Sequence, residues 1–211
     1  MSNIYENDVL IEAMGGALHP GGLRLTSRAA RLAGIARGMS VLDIGCGAGA
    51  SLEYLSHELG VIPYGIDISD KLLGIAKGRV PGADLTVCDA AGLPFEDETF
   101  DAVICECTLS LFKSLTSVYG EIYRVLKPAG RLIISDVRLT MPPGFETINI
   151  EEHKAAFVTY IAEMYNALPD DDFKALLEDT SHGAANTYYL AVLAKSGCID
   201  DLREHEPGKA V

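Results

Sequence analysis

Apolar residues in this chain recur at two spacings that take turns. In LRLTSRAARLAGIAR, residues 23 to 37, Leu25, Ala29, Leu32 and Ile35 or Ala36 follow the helical period with arginines on the other face, so an amphipathic helix is expected after the loop HPGG. MSVLDIG reads as a short buried strand. AGASLEYLSHELG returns to helical spacing through Leu52, Leu55 and Leu59 and stops at Gly60. The rhythm continues with VIPYGIDI as a strand, SDKLLGIAKGR as a helix capped by Ser69, and ADLTVCD and FDAVICE as strands. SVYGEIYRVLK is a helix stopped before Pro128, and GRLIISDV a strand. Five apolar strands joined by helices or crossovers of adequate length predict an α/β fold, a doubly wound and mostly parallel sheet with helices on both faces.

The regularity fades beyond residue 140. FETINI reads as a strand and EEHKAAFVTYIAEMYNAL as a helix with Ala155, Val158, Ile161, Ala162 and Tyr165 on its apolar side. DDFKALLED is a second, shorter helix, and NTYYLAVLAK is strand-like. The closing DDLREHEPGKAV has no core face and is expected to be a polar tail. With 211 residues, 48% of them apolar, the chain suits one core, so a single domain over 1–197 and a tail over 198–211 are expected.

Charge narrows the partners. The 30 acidic residues against 17 basic ones give a net charge of -13, and no cluster of lysines and arginines could follow a phosphate backbone, which argues against nucleic acid. The five cysteines, Cys46, Cys88, Cys105, Cys107 and Cys198, have no CxxC spacing and suit a reducing compartment. MSNIYENDVL lacks a basic region followed by an apolar one, and no apolar run approaches membrane-spanning length. The expectation is a cytoplasmic monomer or homodimer that meets a small molecule and no membrane.

The chemistry concentrates in VLDIGCGAGA, where Gly45, Gly47 and Gly49 stand behind a strand, at the sheet edge where open α/β folds bind ligands. GxG followed by Ala50, with Asp67 about 20 residues on, is compatible with a dinucleotide. Asp43 argues otherwise: a carboxylate beside the loop repels a pyrophosphate but suits a ligand carrying an ammonium and a sulfonium, such as S-adenosylmethionine. Asp67, ending the second strand, can accept from both ribose hydroxyls, and Asp89, ending the third, from an adenine amino group.

Four segments in order across residues 39 to 137, VLDIGCGAG, YGIDIS, CDAAGLPFEDETFDAVIC and RVLKPAGRLIISD, resemble the successive motifs of class I S-adenosylmethionine-dependent methyltransferases, particularly the small-molecule branch that includes the quinone-ring methylases. The resemblance implies a Rossmann-like sheet of seven strands with the last reversed, TYYLAVLAK being the candidate. It also implies a methyltransferase acting on a small molecule, with an N-terminal helical lid over 1–38, a cofactor-binding core over 39–137, and a helical substrate side with the last strand over 138–197. The implied cofactor contacts are Asp43, Gly45 and Gly47, with Cys46 and Gly49 in the same loop, for the methionine part. Asp67 and Ile68 would meet the ribose and adenine, Asp89 and Ala90 the adenine, and Glu106 or Cys107 the methionine end. The family usually places a helix between its fifth and sixth strands, for which RLTMPPG is too short. Either that helix is missing or FETINI is not the sixth strand.

Methyl transfer from a sulfonium is an in-line displacement that needs alignment and dryness, and a base only for a protonated acceptor. Three side chains are candidates for that base. Glu106 lies between two thiols in CECTLSLF and alternatively holds the cofactor's amino group. His19 lies in the expected lid, and His153 on the expected extra helix. Cys105 and Cys107 point to opposite faces of an extended chain and cannot chelate one ion together, so no metal site is expected. Arsenite methyltransferases, which resemble this chain through the same motifs, carry a metalloid-binding cysteine at the position of Cys107. Tyr160, Tyr165, Tyr188 and Tyr189 could line an aromatic wall or pack in the core. The readings from other classes are a protein that keeps the cofactor fold without turnover, and a dinucleotide-dependent oxidoreductase.

Overall fold

The computed structural model describes residues 4–137, 139–153, 160 and 188–196. Seven strands form one sheet in the order β3-β2-β1-β4-β5-β7-β6. They are β1 (Ser40–Ile44), β2 (Ile62–Asp67), β3 (Asp84–Val87), β4 (Phe100–Glu106), β5 (Leu126–Asp136), β6 (Phe145–Glu152) and β7 (Tyr189–Lys195). The first five pair in parallel, and β7 runs antiparallel between β5 and β6. The expected reversal of TYYLAVLAK is therefore present. Helices α1 (Asp8–Ala13), α2 (Gly22–Ala33), α3 (Ala50–Tyr54), α4 (Asp70–Arg79) and α5 (Leu115–Val125) accompany them, with short helical turns at Ile4–Glu6, Leu55–Leu59 and Leu109–Leu111.

The central strands are apolar on both sides because both faces are covered. Val103, Cys105, Leu132 and Ile134 point toward Val118, Tyr119 and Ile122 of α5. Their neighbours Ala102, Ile104 and Ile133 point toward Leu25, Ala29 and Ala33 of α2. One-residue alternation thus feeds two cores with the same strands. Helix α3 passes into a π-turn over Leu55–Leu59 and ends at Gly60 in the left-handed conformation, where a glycine stop was expected.

Two expectations change, and one open alternative is resolved. The helix expected through Lys127 ends at Val125, and β5 begins at Leu126 with an irregularity near Ala129, whose φ is +59°. FETINI is indeed the sixth strand, and none of the described residues between 137 and 144 is helical. That link is pinned to α5 instead: Tyr119 Oη donates to the Thr140 carbonyl at 2.9 Å, and a Cβ at Gly144 would stand 2.8 Å from the Tyr123 ring. The helix expected from Glu151 does not begin there, because β6 continues through Glu152. The rest of that helix apart from His153 and Tyr160, the second helix, Tyr165, Cys198 and the tail lie outside the described residues.

The loop between β3 and β4 is fastened by one guanidinium. Arg124 donates to Glu121, to Asp97 and to the carbonyls of Leu93 and Phe95. Its side chain is 30% exposed, which screens the charges but not the carbonyl contacts. Arg124→Ala is expected to lower the unfolding free energy by about 2 kcal/mol in urea titration. A loss below about 0.5 kcal/mol would show that the carbonyl contacts contribute nothing.

Candidate functional site

A cavity of about 510 Å³ opens at the C-terminal ends of β1, β2, β3 and β4, within the usual size of small-molecule sites. The glycine loop after β1 forms its floor. Gly45 and Cys46 donate their N–H groups to the Ile66 carbonyl at 2.8 and 3.0 Å, locking the loop to β2. The three glycines serve different ends. A Cβ at Gly45 would stand 2.5 Å from Thr108, and one at Gly49 would stand 3.0 Å from Ala76, so these two permit close packing. A Cβ at Gly47 would meet nothing within 4 Å, and Gly47 lines the cavity: its bareness is turned toward open space there. Gly47→Ala is expected to weaken nucleoside-ligand binding about tenfold. The left-handed φ of +52° adds strain of about 1 kcal/mol. Calorimetric titration together with a thermal melt separates the two losses.

The carboxylates lie around that floor. Asp67 Oδ2 accepts from Gly47 N at 2.9 Å and Oδ1 from Ser69 N at 2.8 Å, so the side chain is fixed in direction while keeping free lone pairs. Asp43 is buried, and burial first, then the charges of Glu106 and Asp67, push its carboxyl well above the usual carboxylate range. Asp89 lies two residues past β3 on the rim and accepts from Ala91 N at 2.9 Å. Ile68 is an exposed lip of the cavity, and Ala90 is buried in its wall.

Glu106 ends β4, and its oxygens are already engaged. Thr26 Oγ1 of α2 lies 2.9 and 3.2 Å from the two oxygens, and Ser51 Oγ of α3 donates to Oε2 at 2.5 Å. The carboxylate therefore ties two helices to the sheet. His19 Nε2 lies 3.3 Å from Oε2, close enough for an ion pair, yet neither ring nitrogen makes a hydrogen bond. Distance and direction disagree here, and direction decides hydrogen bonding.

Cys107 follows with a φ of +54°, its N–H donated to the Ser135 carbonyl at 2.7 Å and its thiol 3.5 Å from Tyr188 Oη. Burial pushes the thiols of Cys46 and Cys107 far above their ordinary range, so both are neutral at physiological pH. Cys46, Cys88 and Cys107 all line the cavity, whereas Cys105 sits in the core on the other face of β4. Among the described residues no group of three or more His, Cys, Asp and Glu side chains could hold a metal ion.

The cavity thus gathers Asp43, Gly45, Cys46, Gly47, Asp67, Ile68, Asp89, Ala90, Glu106, Cys107 and His19. Gly49 stands behind the floor, against α4. His153 is elsewhere: it lies 3.1 Å from Glu151 on β6, which also holds Arg28, and it does not line the cavity. Tyr188 is buried in the core, and neither it nor Tyr160 or Tyr189 lines the cavity. Tyr160 acts indirectly, its Oη donating to the Leu18 carbonyl at 3.0 Å and holding the N-terminal loop in place.

Thr26 and Ser51 were not expected in the site. Thr26 shares a helical face with Leu25, Ala29 and Ala33, so a hydroxyl on an apolar stripe was the available signal. Nothing local marks Ser51, because its partner is 55 residues away.

Comparison with known proteins follows the same outline. The family described as a methyltransferase domain matches residues 42–134. The uncharacterized methyltransferase YodH of Bacillus subtilis is 38% identical over 135 residues, covering 60% of this chain and 56% of that protein. Demethylmenaquinone methyltransferase of Renibacterium salmoninarum is 32% identical over 154 residues, covering 66% and 64%. The chain therefore spans less than two thirds of the length of these two relatives. Among solved structures, the [4+2]-cyclase SpnF superposes with a TM-score of 0.74 at 21% identity, over 92% of this chain and 93% of that one. That likeness establishes the fold and nothing finer.

Proposed function

We propose that this chain, whose residues 42–134 match the family described as a methyltransferase domain, is a class I, small-molecule methyltransferase that moves a methyl group from S-adenosylmethionine to a small-molecule acceptor. The observation that carries the reading is the bare Gly47 facing a cavity ringed by Asp43, Asp67 and Asp89. The residues suit the cofactor. Asp67 offers fixed acceptors to a ribose diol, Asp89 and Ala90 border the place for adenine with Ile68 over it, and Asp43, Gly45 and Cys46 border the methionine end. Acidic walls favour a cation over a pyrophosphate, which sets a dinucleotide aside.

The bound cofactor supplies an electrophilic methyl group. The protein supplies orientation and dryness: Leu18, Leu111, Phe112 and Val118 give the cavity an apolar side, which excludes water from an in-line displacement. The Thr26 and Ser51 hydroxyls fix the direction of the Glu106 carboxylate and leave it lone pairs for the cofactor's ammonium. Among the described residues no helix is long and apolar enough to cross a membrane.

Calorimetric titration with S-adenosylmethionine, S-adenosylhomocysteine and NAD(H) tests the binding half. Micromolar binding of both sulfur ligands, with none of NAD(H), is the expected result, and no binding of either in a folded sample overturns the proposal. Release of S-adenosylhomocysteine with a panel of phenols, amines and thiols then distinguishes an enzyme from a silent binder.

A further inference from the structure

We infer that His19 is the binding residue for the carboxylate of the cofactor's methionine end. The inference rests on the S-adenosylmethionine reading above and adds to it the recognition of one charged group.

The methionine end of that ligand is a zwitterion, so its site must present acceptors to an ammonium and donors to a carboxylate. Acceptors are plentiful at the deep end of the cavity, where Asp43 and Glu106 are both buried. Donors are scarce. The hydroxyls of Thr26 and Ser51 are given to Glu106, and the Thr108 hydroxyl is given to the Glu106 carbonyl at 3.0 Å. Lys113, Ser114 and Ser117 also line the cavity, but they are exposed.

His19 remains. Its side chain is 5% exposed, it lines the cavity, and both ring nitrogens are buried without a hydrogen-bond partner. Every tautomer of imidazole carries at least one N–H. A buried donor without an acceptor is costly and uncommon in a native site, and a ligand oxygen is the ordinary remedy. The Glu106 carboxylate lies 3.3 Å from Nε2 without taking its hydrogen bond. A ring so placed would lie between two carboxylates, one from the protein and one from the ligand.

The surrounding chain holds the ring in place. The His19 carbonyl accepts from Gly22 N at 3.1 Å, and Tyr160 holds the preceding Leu18 carbonyl. Glu106 is a positioning residue in this scheme, since it joins α2, α3 and the His19 ring to the end of β4.

Calorimetry with four ligands tests the assignment. S-adenosylmethionine and S-adenosylhomocysteine carry the carboxylate. Decarboxylated S-adenosylmethionine keeps the ammonium but lacks the carboxylate, and 5′-methylthioadenosine lacks both. His19→Ala is expected to weaken the first two about tenfold or more and to leave the last two within twofold. His19→Asn, which keeps an N–H, is expected to recover part of the loss. If alanine unfolds the protein in a thermal melt, the pair His19→Asn and His19→Phe gives the same contrast, a donor kept against a donor lost. Equal weakening of all four ligands, or of none, overturns the assignment, the former marking His19 as structural. Failure of the wild-type protein to bind any of the four would instead overturn the S-adenosylmethionine reading, and this inference with it.

Discussion

Replacing Asp67 by alanine is expected to lower the affinity for S-adenosylmethionine about 100-fold, the largest single loss among the cavity residues. Two charge-assisted hydrogen bonds to the ribose would disappear, together about 3 kcal/mol. The organisation of the floor would go with them, because the same carboxylate holds Gly47 N and Ser69 N. Ser69 also caps α4 through Leu72 N, so the start of that helix would loosen as well. Asp67→Asn keeps one acceptor oxygen and should fall between wild type and alanine. Titration of both variants checks the order, and a loss below threefold in the alanine variant would remove the ribose from Asp67.

Asp43→Asn is expected to stabilise the empty protein while weakening the cofactor about tenfold or more. The carboxyl is held well above its ordinary range, chiefly by burial and further by Glu106 and Asp67. The folded state therefore holds a proton that the unfolded state has already released. The stability associated with that proton is complete below the unfolded-state value of about 4 and is lost as pH rises through the higher folded value. Above that point the wild type carries a buried charge that the asparagine variant lacks, and the variant should gain roughly 1–3 kcal/mol, read as several degrees in a melt at pH 8. The cation runs the other way: it favours ionised Asp43, so affinity for S-adenosylmethionine should rise with pH in the wild type and flatten in the variant. A variant that melts at or below the wild-type temperature at pH 8 would contradict the assignment of Asp43 as an uncompensated buried charge.

The parts of this molecule legible in its sequence are those written locally. VLDIGCGAGA shows a strand, a turn and a helix start within ten residues, and YGIDIS places Asp67 at a strand end, so the floor of the cavity could be drawn before any coordinates. Strand identity followed from short, mainly apolar runs, because both faces of the sheet are covered. What the pattern could not show depends on partners far along the chain. Glu106 reads as a free carboxylate until Thr26, 80 residues away, meets it. His153 reads as a helix residue until β6 carries Glu151 and Glu152 past the expected start. The Leu126 boundary was missed because the segment RVLKPAG continues a helical period that β4 overrides by pairing with Leu126. In each case a tertiary contact decides between two local conformations of similar cost.

The place of β7 bears on how the chain is made. Both β5 and β6 find a described partner in this strand, which begins 37 positions after β6 ends. During synthesis the first five strands can associate while β6 waits, and the exposed edge of β5 stays open until Tyr189–Lys195 emerges. Closing the half-sheet is a late, long-range step that carries the loop-entropy cost of non-local pairing. A ribosome stalled before residue 189 would hold a nascent chain with a finished glycine-loop floor and an adhesive flank, the form of this protein most open to chaperone capture or aggregation.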